Sequence, residues 1–554
     1  MGTCLSRIHH TESPDEDAGL ACPGLPIQEP TQSFWTYPPS SIAAHVSQNT
    51  PPPYADVVII GSGISGASFA RTLLGMDQQR DISEGKPLTV VMLEAHETCS
   101  GASGRNGGHI NPGLYDDYED LRNRFGVRAA RNMIHFRLAH LEILRSVGEL
   151  EAPDADCREV EAVDVYYDEE TFSEAKRLLK VYKAEMPEEA EPYECTEGEE
   201  ARTKYNLSKE ALGCITTRAG AVHPYLFVTG VLTRLLEDYP KHFHLYTRTP
   251  CTSITGPSTN NPLYRLHTPR GVISASHVVH LTNAYIGTLI PGLSQVVARM
   301  RETMSAQRPG SALQLKMPCG ERSYVFYDNP SKKSFDYLTQ LRSGELMFGC
   351  GLEGDVDAGS SGMYDLHSAA LVSGALPVYF GAANWGAEAV DAPPESNSEL
   401  AQEPWAKGRV KALWSGELSV SADGFPWVGR VPPSICGRAA PRLLDYNPRM
   451  ARPAEWVAAG YSGEGMVHAW LCARAVALMV LGMDDRRDIE TEVVFGAGQS
   501  VKEWLPTCFI ISEARLKRLS QDQKYREVSG SKGKVYNTKS HAFRSRTKDL
   551  FAFR

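Results

Sequence analysis

The stretch from Asp56 to Glu94 constrains this chain most. Its apolar run Val57-Val58-Ile59-Ile60 reads as a parallel strand buried on both faces, and it passes directly into Gly61-Ser62-Gly63-Ile64-Ser65-Gly66. A helical pattern through Ala70, Leu73 and Leu74 follows. Strand, glycine turn and helix in that order form the front half of a dinucleotide cradle. Gly61 turns the chain out of the strand, Gly63 admits a pyrophosphate to the backbone N–H groups, and Gly66 lets the helix pack on the sheet with its positive end towards the phosphates. Ser62, Ile64 and Ser65 complete the turn. A second apolar strand, Thr89 to Leu93, ends in Glu94, placed to accept hydrogen bonds from ribose hydroxyls, with Ala95 beside it. An acid there disfavours a 2′-phosphate. Glu94 follows Gly66 by 28 residues, against ~20 in the usual pattern. The polar connection Asp77 to Leu88, with Gly85 and Pro87, accounts for the excess as an insertion outside the phosphate turn.

At 554 residues the chain exceeds what one hydrophobic core serves, so two closely joined domains are expected. A net charge of -10 offers no footing for a nucleic-acid partner. The longest apolar window, Met466 to Met479, is broken by His468 and Arg474, short of the ~18 residues of a membrane span. The 12 cysteines are scattered singly, which points to no metal site and to a reduced, cytoplasmic setting. Met1-Gly2-Thr3-Cys4-Leu5-Ser6 fits N-terminal acylation at Gly2, with Cys4 for a second chain and weak membrane association as the result. An unmodified leader is the competing reading. Residues 1–53 are rich in Pro, Ser, Thr and acids and read as a disordered leader. Residues 501–554 read as a basic, solvated C-terminal tail with a short helix at Glu513 to Gln521, or else as a patch for a membrane or partner.

Between these ends, helical patterns run from Leu121 to Leu150, Thr171 to Ala184, Tyr225 to Leu236 and Leu366 to Phe380. Strand patterns occupy Val160 to Tyr167, Phe243 to Thr247, Tyr264 to His267, Val272 to Ser276 and Val278 to Leu281, with Gly271 as a hairpin turn. Tyr324 to Tyr327, Phe335 to Leu341 and Glu345 to Gly349 follow, the last two joined by Arg342-Ser343-Gly344 as one wall of a substrate chamber. This interleaving predicts an α/β fold, a Rossmann-type nucleotide domain with an interleaved, mainly antiparallel α+β substrate domain. The nucleotide domain is expected over 54–150, 216–295 and 409–500, the substrate domain over 151–215 and 296–408.

Further motifs come in order: Gly101-Ala102-Ser103-Gly104-Arg105-Asn106-Gly107-Gly108, Gly220 to Pro224, Asn283-Ala284-Tyr285, Trp414-Ser415-Gly416, Ser421 to Pro426, and Gly460 to Met466. With the glycine turn, they make the chain resemble the D-amino-acid oxidase superfamily of FAD enzymes. The similarity is greatest to the glycine and sarcosine oxidase branch, in a γ-glutamylputrescine oxidase-like, fungal-type form. The resemblance implies FAD as cofactor. Ser103, Gly104, Arg105, Asn106, Gly107 and Gly108 would cross the pyrophosphate and reach the ring, with Arg105 and Asn106 as donors. Gly463, Glu464, Gly465 and Met466 precede a helix beginning near Val467, whose positive end would favour the reduced, anionic flavin. Asp423 joins the cofactor set through its motif. The chain lacks a second Gly-x-Gly-x-x-Gly unit for NAD, so molecular oxygen is the simplest electron acceptor. Sarcosine oxidases tether flavin through a Cys near Trp414 to Gly416; this chain has none there. Cys99 and Cys350 read as packed residues.

The resemblance also implies the chemistry. A C–H next to nitrogen yields hydride to flavin, the imine is hydrolysed, and oxygen is reduced to hydrogen peroxide. Such a reaction asks the protein to hold the C–H, exclude water and keep the amine neutral. The substrate is a small-molecule amine or amino acid whose identity the sequence leaves open. Candidate catalytic residues are His109, Tyr337 and Trp414, with Gln340 as a further contact. Tyr337 and Trp414 are equally read as core aromatics, and His109 as a hydrogen-bonded structural histidine. Arg342, in the turn, is expected to be exposed. A flavin dehydrogenase with another electron acceptor, or a flavin-binding protein without turnover, are the alternatives.

Overall fold

Val57 to Ile60 carry only β-branched side chains, which suits a strand covered on both faces. In the computed structural model Tyr54–Ile60 is such a strand, paired in parallel with Gly271–His280 on one side and Val90–Leu93 on the other. Described are residues 24–26, 30–79, 86–259, 261–328, 335–350, 365–388, 404–442, 446–487 and 498–528, with side chains of the last helix to 521. Phe243–Tyr246 and Glu455–Ala459 extend the parallel sheet at its two sides. Trp427–Arg430 closes one edge antiparallel, and Tyr264–Thr268 and Ser253–Thr255 form an antiparallel annex.

The second sheet runs Val410–Ser421, Val297–Gln307, Leu346–Cys350, Asp336–Gln340, Arg322–Tyr327, Arg158–Tyr166, Gly213–Ala221, His109–Ile110. All neighbours are antiparallel except Arg322–Tyr327 with Arg158–Tyr166. Leu366–Phe380 packs across its back, where Tyr379 stacks on Phe326 at 4.2 Å. Three strands of this sheet, His109–Ile110, Gly213–Ala221 and Val410–Ser421, fall wholly or partly inside segments that the sequence assigned to the nucleotide domain. The chain therefore crosses between the layers within those segments.

Local differences have local causes. The helix expected from Leu121 to Leu150 is two, Tyr115–Phe125 and Val127–Glu151, because Gly126 adopts φ +82° and ends the first. Val272 to Ser276 and Val278 to Leu281 merge into one strand, Gly271–His280, since Ser276 and His277 are buried within it and do not break the ladder. Gly271 and Gly344 both turn their hairpins with positive φ.

Both ends of the chain correct the sequence reading. Residues 30–53 are not a disordered leader. Trp35 is 1% exposed and donates from Nε1 to the Asn106 carbonyl at 2.6 Å, Ser33 Oγ donates to the Gly104 carbonyl at 2.8 Å, and Ile42 is buried. One buried indole, on the 3₁₀ turn Phe34–Thr36, offsets the ordering of this Pro-rich strap. The region from 501 to 521 is not a solvated tail either. Val501–Trp504 is capped by Ser500 and Glu503, and Arg515, at the head of Glu513–Val528, is buried against Asp423. Gly2 and Cys4, and residues 529–554, lie outside the described residues. Among the described residues no helix is long and apolar enough to cross a membrane.

Candidate active site

The glycine turn leaves Tyr54–Ile60 at the edge of one continuous cavity of about 360 Å³. Gly61 sits at φ +110°, and a Cβ there would lie 2.7 Å from the Leu281 carbonyl oxygen. A Cβ at Gly63 would lie 2.8 Å from Ser103 Oγ, and one at Gly66 would collide with the Gly61 carbonyl. Gly66 thus serves the helix packing and does not itself line the cavity. Ser103 Oγ accepts from Ile64 N–H at 2.9 Å and ties the turn to the second loop. Ser65 Oγ meets Tyr461 OH at 2.8 Å. Ser62 donates to Glu94 from N–H at 3.2 Å and from Oγ at 2.7 Å, while the other Glu94 oxygen accepts from His96 N–H at 2.9 Å. Glu94 thereby braces the turn it was expected to complement, and with Ala95 it lines the cavity.

The second loop contributes shape more than free donors. Arg105 donates to the carbonyls of Ser100 at 2.7 Å and Ser415 at 2.8 Å, and burial lowers its pKa to about 10. Asn106 donates to the Ser103 carbonyl at 3.0 Å and accepts from Gly108 N–H at 2.8 Å. Both side chains hold the loop's own backbone. Gly104 and Gly108 face the protein: a Cβ on either would collide with the carbonyl of Cys99 or Val222. Gly107 faces Tyr337, whose Cε2 would be 2.6 Å from its Cβ.

At the far side, Gly463 and Glu464, with Gly465 and Met466 of the 3₁₀ turn Gly465–Val467, line the cavity ahead of the helix Ala469–Val480. Ser462 and Gly463 take φ +52° and +84°. The Glu464 carboxylate turns inward to Arg137 at 3.2 Å, and Arg137 also pairs with Asp117 at 2.6 Å, so a buried ion network anchors the loop. Asn283 Oδ1 accepts from Gly460 N–H at 3.1 Å and from Ser419 Oγ at 2.6 Å, joining this loop to both sheets. Asp423 is corrected: it does not line the cavity but pairs with Arg515 at 2.8 Å. That partner lies 92 residues away, and no local pattern announces it.

The second sheet walls the other end. Tyr337 and His109 line the cavity in edge contact, ring centroids 5.7 Å apart. Trp414 does not: it is fully buried and donates from Nε1 to the Arg105 carbonyl at 2.8 Å, which makes it a core aromatic that props the second loop. Gln340 is likewise withdrawn, accepting from Gly320 N–H at 3.3 Å. Arg342 is 63% exposed, as its turn position implies. Cys99 and Cys350 are free thiols whose pKa burial raises, the latter to about 12. The sequence reading missed Glu302. Its side chain lines the cavity, where burial outweighs the hydrogen bond from the Tyr337 hydroxyl and raises its pKa to about 8. The signal was present as a lone acid between Met300 and Met304 on one face of an alternating strand.

The cradle fits a dinucleotide on three structural grounds. Gly61 admits no Cβ, a carboxylate stands beside the turn, and His96 Nε2 and Glu464 Oε1 are buried at the cavity without a hydrogen-bond partner. Such a cradle on a parallel sheet, opening into a chamber walled by an antiparallel one, defines a two-sheet α/β oxidoreductase. The chain belongs to the FAD dependent oxidoreductase (DAO) family, whose model matches residues 56–479. Its cofactor is FAD. The chain is 21% identical over 442 residues to the probable oxidoreductase OrdL of Haemophilus influenzae, covering 79% of this chain and 85% of that one. Glycine oxidase of Geobacillus kaustophilus superposes with TM-score 0.56 at 16% identity, over 81% of this chain and 99% of that one. L-amino acid deaminase of Proteus myxofaciens does so with 0.53 at 15%, over 85% and 97%.

Proposed function

We propose that this FAD-dependent oxidoreductase oxidises a C–N bond of a small amine or amino acid, in the manner of the glycine and sarcosine oxidase branch. The observation that carries this reading is continuity: one cavity runs from Glu94 at the cradle to His109, Glu302 and Tyr337 on the second sheet. Bound FAD would accept a hydride from the carbon next to nitrogen, with imine hydrolysis and reduction of oxygen to hydrogen peroxide completing the cycle. Gly61 to Gly63 and Ser103 would hold the pyrophosphate, Glu94 the ribose, and the Gly463 to Met466 turn the ring edge.

The chain's own residues do the positioning. Gly107 gives the Cδ2–Cε2 edge of Tyr337 room against the loop, and Met304 accepts the Tyr337 hydroxyl at 3.0 Å, so the phenol is held from two sides. The strap at Thr31 to Trp35 fastens the second loop and Ser415: Thr31 Oγ1 accepts from Ser415 N–H at 2.9 Å. The structural neighbours named for glycine and L-amino acids support a C–N substrate. A cytoplasmic setting, with Gly2 and Cys4 as candidate anchor points, belongs to the same reading.

The test is a screen of secondary amines and amino acids on the purified yellow protein. Substrate-dependent bleaching without air, followed by oxygen uptake and peroxide release on aeration, is expected. Bleaching without oxygen uptake would instead identify a dehydrogenase, and no bleaching by any of these compounds would refute the proposal.

A further inference from the structure

We propose that Glu302 is the substrate-facing anion of this enzyme, receiving the protonated nitrogen of a basic amine and taking the proton that must leave before the neighbouring C–H is oxidised. This rests on the amine-oxidation reading above and narrows it to cationic amines.

The geometry begins with the strand Val297–Gln307. Met300, Glu302 and Met304 share one face, across from Leu418, Gly416 and Trp414 of the adjacent strand. Arg299 and Arg301 point the other way and reach Glu417 at 3.5 and 3.2 Å. Among the described residues no cation pairs with Glu302. Arg105, which packs beside Gly416, donates from Nε to the Ser100 carbonyl and from Nη1 to the Ser415 carbonyl. The titratable groups facing Glu302 are Tyr337, whose hydroxyl approaches at 3.5 Å, Cys350 on the next strand, and His109 against the Tyr337 ring. The adjacent strand opposes it with Gly416, and the helix on the sheet's back carries His367, at its exposed end, and Tyr379, whose hydroxyl donates to Asp336 at 2.6 Å. A buried carboxylate whose one polar neighbour is a phenol hydroxyl at 3.5 Å is costly unless a cation arrives to match it. Its burial, which raises the pKa, agrees with that vacancy of charge.

A substrate carboxylate at this point would meet like charge. An ammonium would meet an anion, the π-face of Tyr337 or Phe335, and the polarizable sulfur of Met304. In the proton step, the N–H bond of the ammonium breaks and an O–H bond forms on Glu302. The nitrogen recovers its lone pair, and that pair drives hydride departure from the adjacent carbon. Glu302 must be ionised, hence pH above about 8 in the free protein, and the amine must be charged, hence pH below ~10 for an alkylamine. The profile of kcat/KM is therefore bell-shaped between those values.

The experiment uses the full-length, FAD-loaded protein and reads flavin absorbance during titration with tetramethylammonium, which has no N–H to lose, or with acetate. Wild type is expected to bind tetramethylammonium and not acetate, with affinity falling about tenfold per pH unit below the Glu302 pKa. Glu302→Gln should keep its yellow colour, bind the cation roughly 100-fold more weakly and lose the acid limb of kcat/KM. Glu302→Asp should restore part of both. Binding of acetate in preference to the cation, or equal cation binding by wild type and Glu302→Gln, overturns the proposal. If Glu302→Gln does not fold, the two wild-type titrations still decide. Failure of every amine to reduce the flavin would count against the amine reading separately, because the titration reads binding without turnover.

Discussion

Replacing Gly61 by alanine should cost this protein its cofactor and much of its stability, while the same replacement at Gly75, in the helix that follows, should do neither. A Cβ at Gly61 would lie 2.7 Å from the oxygen and 3.1 Å from the carbon of the Leu281 carbonyl. Both are backbone atoms, and Leu281 N–H is bonded to the Ile60 carbonyl at 2.9 Å, so neither partner swings aside without opening the central parallel pair. Ordinary contact begins at 3.4 Å, 0.7 Å further from the Leu281 oxygen, an overpacking that costs ~1–3 kcal/mol. The φ of +110° adds ~1–2 kcal/mol for a residue with a Cβ. Together they amount to ~2–5 kcal/mol, spent where the turn must present its N–H groups. Gly75 has nothing within 4 Å of a Cβ, and it sits inside Ile64–Gln78. Alanine there should gain ~0.5–1 kcal/mol by helix propensity. Gly63→Ala should fall between, because its obstacle is the Ser103 hydroxyl, which a rotation moves. The assay is FAD affinity of the deflavinated protein by fluorescence quenching, with thermal unfolding alongside. Gly61→Ala should raise the Kd at least about tenfold and lower the Tm, and Gly75→Ala should leave Kd unchanged. Wild-type Kd and Tm in Gly61→Ala would refute the argument from backbone contact.

Two further outcomes test what holds the fold together around the site. Arg515→Ala removes a side chain that donates to Asp423 at 2.8 and 3.0 Å and to the carbonyls of Phe425, Pro426 and Phe509, and that lies 3.9 Å over the Trp427 ring. With Asp423 left buried, denaturant unfolding should show a loss of roughly 3–5 kcal/mol; a loss below ~1 kcal/mol would mean that the C-terminal helix is not anchored there. Glu455 supplies an acid-sensitive contact. Burial alone would raise its pKa, but hydrogen bonds from Arg438 and His280 outweigh burial and hold it at about 2 against an ordinary 4.5. A depressed carboxyl stabilises fully above its unfolded pKa and loses that contribution as pH falls from about 4.5 towards about 2. The loss is on the order of 3 kcal/mol, read as the difference in urea midpoint between wild type and Glu455→Gln across that window; parallel curves would exclude it.

The residues Asp56 to Glu94 and the hairpin around Gly344 were legible because their rules act over short stretches of chain. A β-branched run, a glycine with no alternative at positive φ and an acid at a strand end each declare themselves within a few positions. The same locality explains what stayed hidden. Alternation along Val297–Gln307 shows that Met300, Glu302 and Met304 share a face, but only pairing with Val410–Ser421 and the second loop turns that face to the cavity. Trp414 and Tyr337 are both aromatic residues on strands, yet packing sends one under Arg105 and the other into the chamber. Asp423 belongs to Arg515, and Trp35 belongs to Asn106, through contacts that span 92 and 71 residues. The amino-acid order by itself determined the cradle, its acid and the alternation of the two layers. Which side chains meet across them was decided by tertiary packing, because a side chain's direction is set by the register and partners of its element, and those partners are distant in the chain.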